Sequence, residues 1–97
     1  MEEQDLDNFI SIVNYIGKVE NGVAVDISLK IKDEIYHIMY WFDKNDNYQM
    51  SAEEKFLIKY NLSTIYEYKK YKKLAYYIHN YIIKNKKQLL KDFNVSI

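Results

Sequence analysis

Arginine, proline and cysteine are absent from this chain of 97 residues, which also holds only two glycines and one tryptophan. Without cysteine there is no disulfide framework, no thiolate metal site and no thiol nucleophile, which fits a reducing compartment and makes the cytoplasm the expected location. Without arginine the planar fork that reads bases and phosphates in pairs is missing, so every basic contact must be a lysine point charge. Gly17 and Gly22 cannot build a phosphate-cradling loop. No apolar run reaches the roughly 18 residues needed to cross a bilayer, and the acidic start, Glu2, Glu3, Asp5 and Asp7, lacks the basic region of a signal peptide. The sequons at Asn61 and Asn94 are therefore expected to stay unmodified.

Chemistry-bearing residues are equally sparse. His37 and His79 are the only histidines, and their spacing makes no metal site. The serines stand in no nucleophile-elbow pattern. Asp26 is expected to approach His37 across a hairpin, a pairing that does not by itself specify catalysis. No enzymatic activity and no cofactor are expected.

What the chain does have is a steep division of charge beneath a net charge of zero. Residues 1 to 54 carry twelve acids and four lysines, net −8, whereas residues 55 to 97 carry ten lysines and two acids, net +8. Seven of the eleven tyrosines fall between Tyr60 and Tyr81.

Apolar periodicity predicts an α+β fold in a single domain spanning 1–97, ordered αβββαα. Leu6, Phe9, Ile10, Val13 and Ile16 share one helical face, which predicts a helix over 5–14. Asn21-Gly22 is a strong hairpin signal and implies a strand on its upstream side, 15–20. Strict alternation of Val23, Val25, Ile27, Leu29 and Ile31 predicts a strand over 23–32. The segment 35–43 is rich in strand formers on both faces, Tyr36, Ile38, Tyr40 and Phe42 opposing Ile35, His37, Met39 and Trp41. A turn around Asp33-Glu34 with an even number of loop residues pairs Ile31 with Tyr36 and Leu29 with Ile38; a three-residue loop opposes Val25 to Trp41 instead. Capping-box patterns, Ser51 with Glu54 and Thr64 with Glu67, predict helices over 52–61 and 64–91 joined as a hairpin. A three-stranded antiparallel sheet is thus expected to pack against a C-terminal helical hairpin with a long last helix. Because 35–43 is apolar on both faces, it needs a second cover, either the N-terminal helix or a second subunit, and a homodimer is the simpler expectation. Phe93, Val95 and Ile97 alternate as a terminal edge strand would.

On the long helix, Tyr71, Leu74, Ala75, Ile78, Tyr81, Ile82 and Leu89 gather on one stripe. Lys69, Lys73, Tyr76, Asn80, Lys84, Lys87 and Lys91 gather on the other. The second stripe can be a merely solvated face, a track for nucleic acid with tyrosines as stacking surfaces, or a docking face for an acidic protein.

Residues 43 to 54 place Asp43, Asn45, Asn47, Ser51 and Glu54 at spacings 1, 3, 5, 9 and 12, with the Gln49 carbonyl at 7 and Met50 at 8. This segment resembles the twelve-residue EF-hand calcium loop, and the resemblance implies those five residues as calcium ligands. Tyr48 stands where the family has glycine. The competing reading of the same residues is an Asp/Asn-rich turn followed by a cap.

The favoured function is a small non-enzymatic protein-binding module or inhibitor, of the accessory kind carried by phages or plasmids, with no membrane partner. It would act through charge-segregated surfaces: a basic face of Lys69, Lys73, Tyr76, Lys84, Lys87 and Lys91, and an acidic face of Asp33, Glu34, Asp43, Asp46, Glu53 and Glu54, expected near one end of the hairpin. Nucleic-acid binding by the Lys/Tyr face is the alternative, and calcium binding the third.

Overall fold

Four strands precede two helices in the computed structural model: β1 (Phe9–Val19), β2 (Gly22–Ile31), β3 (Glu34–Phe42), β4 (Tyr48–Ala52), α1 (Glu54–Tyr60) and α2 (Lys69–Asp92). The structure describes residues 9–66 and 69–96, apart from the side chains of 69–72. The strands form one antiparallel sheet in the order β1-β2-β3-β4, so each pairs with its neighbour in sequence. The α+β class expected from the sequence holds, with one strand more than predicted.

Alternation decides the sheet. Val23, Val25, Ile27, Leu29 and Ile31 of β2 and Tyr36, Ile38, Tyr40 and Phe42 of β3 are all buried on the inner face. The β2–β3 turn is Lys32-Asp33, with Lys32 left-handed at φ 55°, so Ile31 pairs with Glu34 and Leu29 with Tyr36. The loop is even, as expected, but two residues shorter, which slides the pairing by two; apolar stays opposite apolar from Leu29–Tyr36 to Val23–Phe42, and only Ile31 meets a charged residue.

β1 overturns the predicted helix over 5–14: residues 9–14 are strand, and 5–8 lie outside the described residues. The reason is a bulge. Val13 pairs with Ile27 and Tyr15 with Asp26, leaving Asn14 as an extra residue. Its insertion turns the inward sequence Phe9, Ser11, Val13 on to Ile16, and the spacing 9, 13, 16 then coincides with a helical stripe. The Asn14 amide donates to Ser28 Oγ at 2.6 Å and to Asp26 Oδ2 at 3.4 Å, which ties the bulge to β2. The β1–β2 turn is Glu20-Asn21, one residue upstream of the expected Asn21-Gly22, because Val19 pairs with Gly22. A Cβ on Gly22 would collide with the Phe42 carbonyl and lie 2.8 Å from Trp41 Nε1, so glycine is needed there for close approach rather than for a turn.

The predicted helix over 52–61 begins late because Tyr48, Met50 and Ala52 alternate as the fourth strand, and Met50 faces Tyr40. Ser51 is therefore a strand residue, not a cap. Glu53 occupies the N-cap position of α1 without a side-chain cap bond; its carboxylate instead accepts the His37 N–H at 3.0 Å. Asn61, where the predicted helix over 52–61 also ends, closes α1 in the left-handed region, with the Leu62 N–H on the Leu57 carbonyl at 2.8 Å. Thr64 Oγ1 accepts the Tyr66 N–H at 3.2 Å in a local turn, and the helical description resumes only at Lys69.

Both helices lie on the inner face, α1 nearest β3 and α2 nearest β1, so they are two separate covers rather than the expected hairpin. Phe56 of α1 meets Tyr36 edge-on at 5.3 Å, while Leu74, Ala75, Ile78 and Ile82 of α2 complete the core. Tyr81, expected in that stripe, is 41 % exposed, and Leu89 is half-buried. The predicted terminal strand is replaced by a helix ending: Asn94 adopts φ 56° and the Val95 N–H reaches the Leu90 carbonyl at 2.9 Å. Phe93 and Val95 thereby fold onto the core, and Ile97 lies outside the described residues.

Candidate binding surfaces

The outer face of α2 is where the sequence places a lysine stripe, and the structure leaves that stripe open. Lys73, Tyr76, Asn80, Lys84, Lys87 and Lys91 are all exposed. Lys69 opens the helix, where its side chain is outside the described residues. From Lys73 to Lys91 the stripe runs about 27 Å at 1.5 Å per residue. Among the described residues no ion pair engages Lys73, Lys84, Lys87 or Lys91. Tyr76 and Tyr77, 65 % and 51 % exposed, interrupt the charges with flat rings.

Lys86 behaves differently because it points toward the sheet. Its ammonium reaches Asp46 Oδ1 at 2.9 Å and lies 5.1 Å over the Phe42 ring. This contact and the Lys55–Glu34 pair at 3.7 Å join the lysine-rich half of the chain to the acidic half. Segregation along the sequence becomes adjacency in space.

The acidic residues do not form the single patch expected. Asp33 and Glu34 sit at the β2–β3 turn, next to Glu53 and Glu54, and a cleft of about 580 Å³ there is lined by Glu34, Glu54, Lys55 and Lys59 together with Tyr36 and Ile58. Asp43 and Asp46 follow the opposite end of β3, roughly 27 Å away at 3.4 Å per residue. There Asp43 shares a cleft of about 340 Å³ with the β1–β2 turn, lined by Lys18, Glu20, Asp43 and Lys44 among others. An antiparallel strand necessarily carries its two flanking turns to opposite ends. Lysines stand inside both clusters.

The segment that resembles a calcium loop is a turn and a strand. Asp43 Oδ1 accepts the N–H groups of Asn45 and Asn47 at 2.9 and 3.0 Å, and Asn47 Nδ2 donates to Oδ2 at 3.0 Å. These bonds hold the Asp43 carboxyl below its usual range, the Asn47 side-chain amide contributing most. Asp46 is left-handed at φ 63°. β4 then extends away, carrying Ser51 to its pairing with Met39 and Glu54 into α1. The five ligands implied by the resemblance are not brought together, and no group of three or more His, Asp or Glu among the described residues stands where it could hold a metal ion.

One cluster was not foreseen from the sequence. Tyr40 of β3 lies 2.6 Å from His79 Nδ1 of α2, and the Tyr48 ring stacks on the imidazole at 3.7 Å. Burial raises the Tyr40 hydroxyl well above its ordinary pKa of 10.0 and lowers His79 below 6.5, the latter opposed by the Asp46 carboxylate. A protonated phenol beside a neutral imidazole assigns the bond as Tyr40 Oη–H donating to Nδ1. Nearby, burial raises the Tyr66 hydroxyl, with the neighbouring Tyr48 adding to the effect and the Met50 backbone opposing it. Sequence spacing gives no sign of the Tyr40–His79 pair, since 39 residues separate its members.

The outer sheet face is also open. Across it Asn14, Asp26, Ser28 and His37 form a polar row, with His37 Nδ1 3.6 Å from Asp26 Oδ1 as the sequence suggested. Ile10, Ile12, Ile35 and Met39 around it are 45 to 60 % exposed. The second apolar face of β3 signalled this surface; the β-strand character of Phe9 to Val13, which adds Ile10 and Ile12, was hidden by the bulge. No helix of the described residues is long and apolar enough to cross a membrane. Compared with protein-family models, with curated proteins and with solved structures, the chain matches none of them.

Proposed function

We propose that this protein is a non-enzymatic, cytoplasmic binding module that engages an acidic protein surface through the outer face of α2, in the manner of a small accessory inhibitor. The observation that carries this reading is the row of exposed lysines without ion pairs among the described residues, Lys73, Lys84, Lys87 and Lys91, interleaved with the open ring of Tyr76 and bordered by Tyr77, whose ring packs edge-on against Phe9. Tyrosine buries a large rigid surface at small entropic cost, and lysine on a helix face steers an oppositely charged partner into register.

Protein is favoured over nucleic acid by charge density. Duplex DNA presents one negative charge per about 1.7 Å of axis, against four free lysines on about 27 Å of helix. Nucleic acid is the second reading, supported by the exposed tyrosine rings on which unpaired bases can stack.

Fluorescence anisotropy with labelled polyglutamate, single-stranded DNA and duplex DNA, at low and physiological salt, tests both. The protein is expected to bind polyglutamate at low salt, and the joint variant Lys73→Gln, Lys84→Gln, Lys87→Gln, Lys91→Gln to lose at least about tenfold in affinity. DNA binding tighter than polyglutamate binding and lost in the same variant would promote the second reading. Failure to bind any probe at low salt would retire this face.

A further inference from the structure

From the spacing of its outer residues we infer that α2 is a docking strip for one kind of partner segment, an acidic amphipathic helix that lies along it. Carboxylates of that helix meet Lys84, Lys87 and Lys91, and its apolar side chains meet Tyr76 and Ile83. The inference rests on the reading of α2 as the binding face and names what that face takes.

Lys73, Tyr77, Asn80, Lys84, Lys87 and Lys91 follow one another at intervals of four, three, four, three and four, and all six are exposed. Strict alternation of fours and threes is a 3.5-residue repeat, the narrow seam along which one helix meets another. On α2 the members of this seam stand about 5.3 Å apart along the axis. A partner helix offers side chains at the same interval and stays in step over the whole strip. An extended peptide offers same-face side chains about every 6.8 Å and is out of register by about 3 Å after two steps.

The chemistry of the strip calls for acids. Asp92 is the one acid in α2, and it accepts the Gln88 Nε2 amide at 2.6 Å. Lys84 and Lys87 therefore have no acid three or four positions away on their own helix. Their neighbours at that distance include each other, and Lys91 follows Lys87 by four, so like charges crowd one line. A helix face kept only for solubility interleaves glutamate with lysine. The helix dipole accounts for Lys91, which lies in the last turn, and not for Lys84 or Lys87. Carboxylates at matching spacing on a partner helix relieve that repulsion.

Apolar contact is available beside the charges. Tyr76 and Ile83, 65 % and 40 % exposed, stand seven residues apart and so share one flank of the seam. Tyr77, within the seam, is held edge-on by Phe9 at 5.2 Å. Rings and aliphatic surface thus precede the lysine end of the strip, and the matching helix carries its apolar residues and its acids in separate halves.

The test uses the full chain and two labelled alanine-based peptides of about 20 residues, the length of the strip. One carries glutamate on the seam of its N-terminal half, where its own dipole favours acids, and leucine on the seam of its C-terminal half. The other has the same composition with those residues scattered round the helix. At low salt the ordered peptide is expected to bind at least about tenfold more tightly than the scattered one and to gain helical circular dichroism on mixing. Tyr76→Ala with Ile83→Ala should weaken the ordered peptide at least about fivefold while polyglutamate binding and the circular dichroism of the native fold are retained. Equal affinity for the two peptides overturns the inference, and so does an ordered peptide that the double variant binds like the parent; if polyglutamate still binds, α2 remains an acid-binding face. A protein that binds neither peptide nor polyglutamate overturns both readings.

Discussion

At Gly22 and at His79 single atoms decide local stability, and each yields a prediction. A methyl group at position 22 has no room beside the Phe42 carbonyl and the Trp41 indole, and a backbone atom cannot swing aside as a side chain can. Gly22→Ala is expected to cost about 1–3 kcal/mol in urea unfolding. Tyr40→Phe removes the donor to a half-buried imidazole and should cost about 1–2 kcal/mol. The same imidazole makes stability pH-dependent. Because burial lowers its folded pKa below the ordinary 6.5, the unfolded chain binds the proton more readily. The His79 contribution is complete above about pH 6.5 and is lost as pH falls from there through the lower folded pKa. In His79→Phe the fall in thermal stability between neutral pH and pH 5 should be smaller than in the parent. None of this residue-scale detail was legible beforehand: the Tyr40–His79 pair depends on where α2 crosses the sheet, and local pattern does not encode crossing.

Elements were legible where one period ruled alone. β2 alternates without interruption, and its inner row was read correctly residue by residue; β3 followed, with its register two residues off because the turn closed at Lys32-Asp33. The inner stripe of α2 was legible in Leu74, Ala75, Ile78 and Ile82. β1 was misread because the bulge at Asn14 imitates a helical step, and β4 because its short alternation lay inside a segment whose Asp and Asn spacing suggested a loop. The bulge makes a sharp test. Deleting Asn14 joins Val13, facing in, to Tyr15, facing out, so alternation survives; the variant should fold with a loss of about 1–2 kcal/mol for two side-chain hydrogen bonds. Deleting Ser28 from β2 would turn half of its inner row outward, and that variant should not fold. On α1, Phe56 is fully buried between Tyr36 and Tyr60, so Phe56→Ala is expected to cost about 3–5 kcal/mol in the same unfolding assay.

For the molecule as a whole, the arrangement of charge was half legible. The lysine stripe stands where helical periodicity put it, but the division into −8 and +8 does not survive folding as two poles, because Lys86 and Lys55 pair with acids of the sheet. Such exposed pairs contribute little, and Lys86→Gln should change stability by less than about 1 kcal/mol. The sheet order matters more. Since every strand pairs with its sequence neighbour, each hairpin closes a short loop, and the sheet can assemble strand by strand as the chain leaves the ribosome. The residues that seal its inner face, Leu74, Ala75, Ile78 and Ile82, are synthesised last. Until they dock, a nascent chain holding the finished meander shows water an apolar surface on both sides, and its capture by chaperones or its loss to aggregation will be decided in that interval.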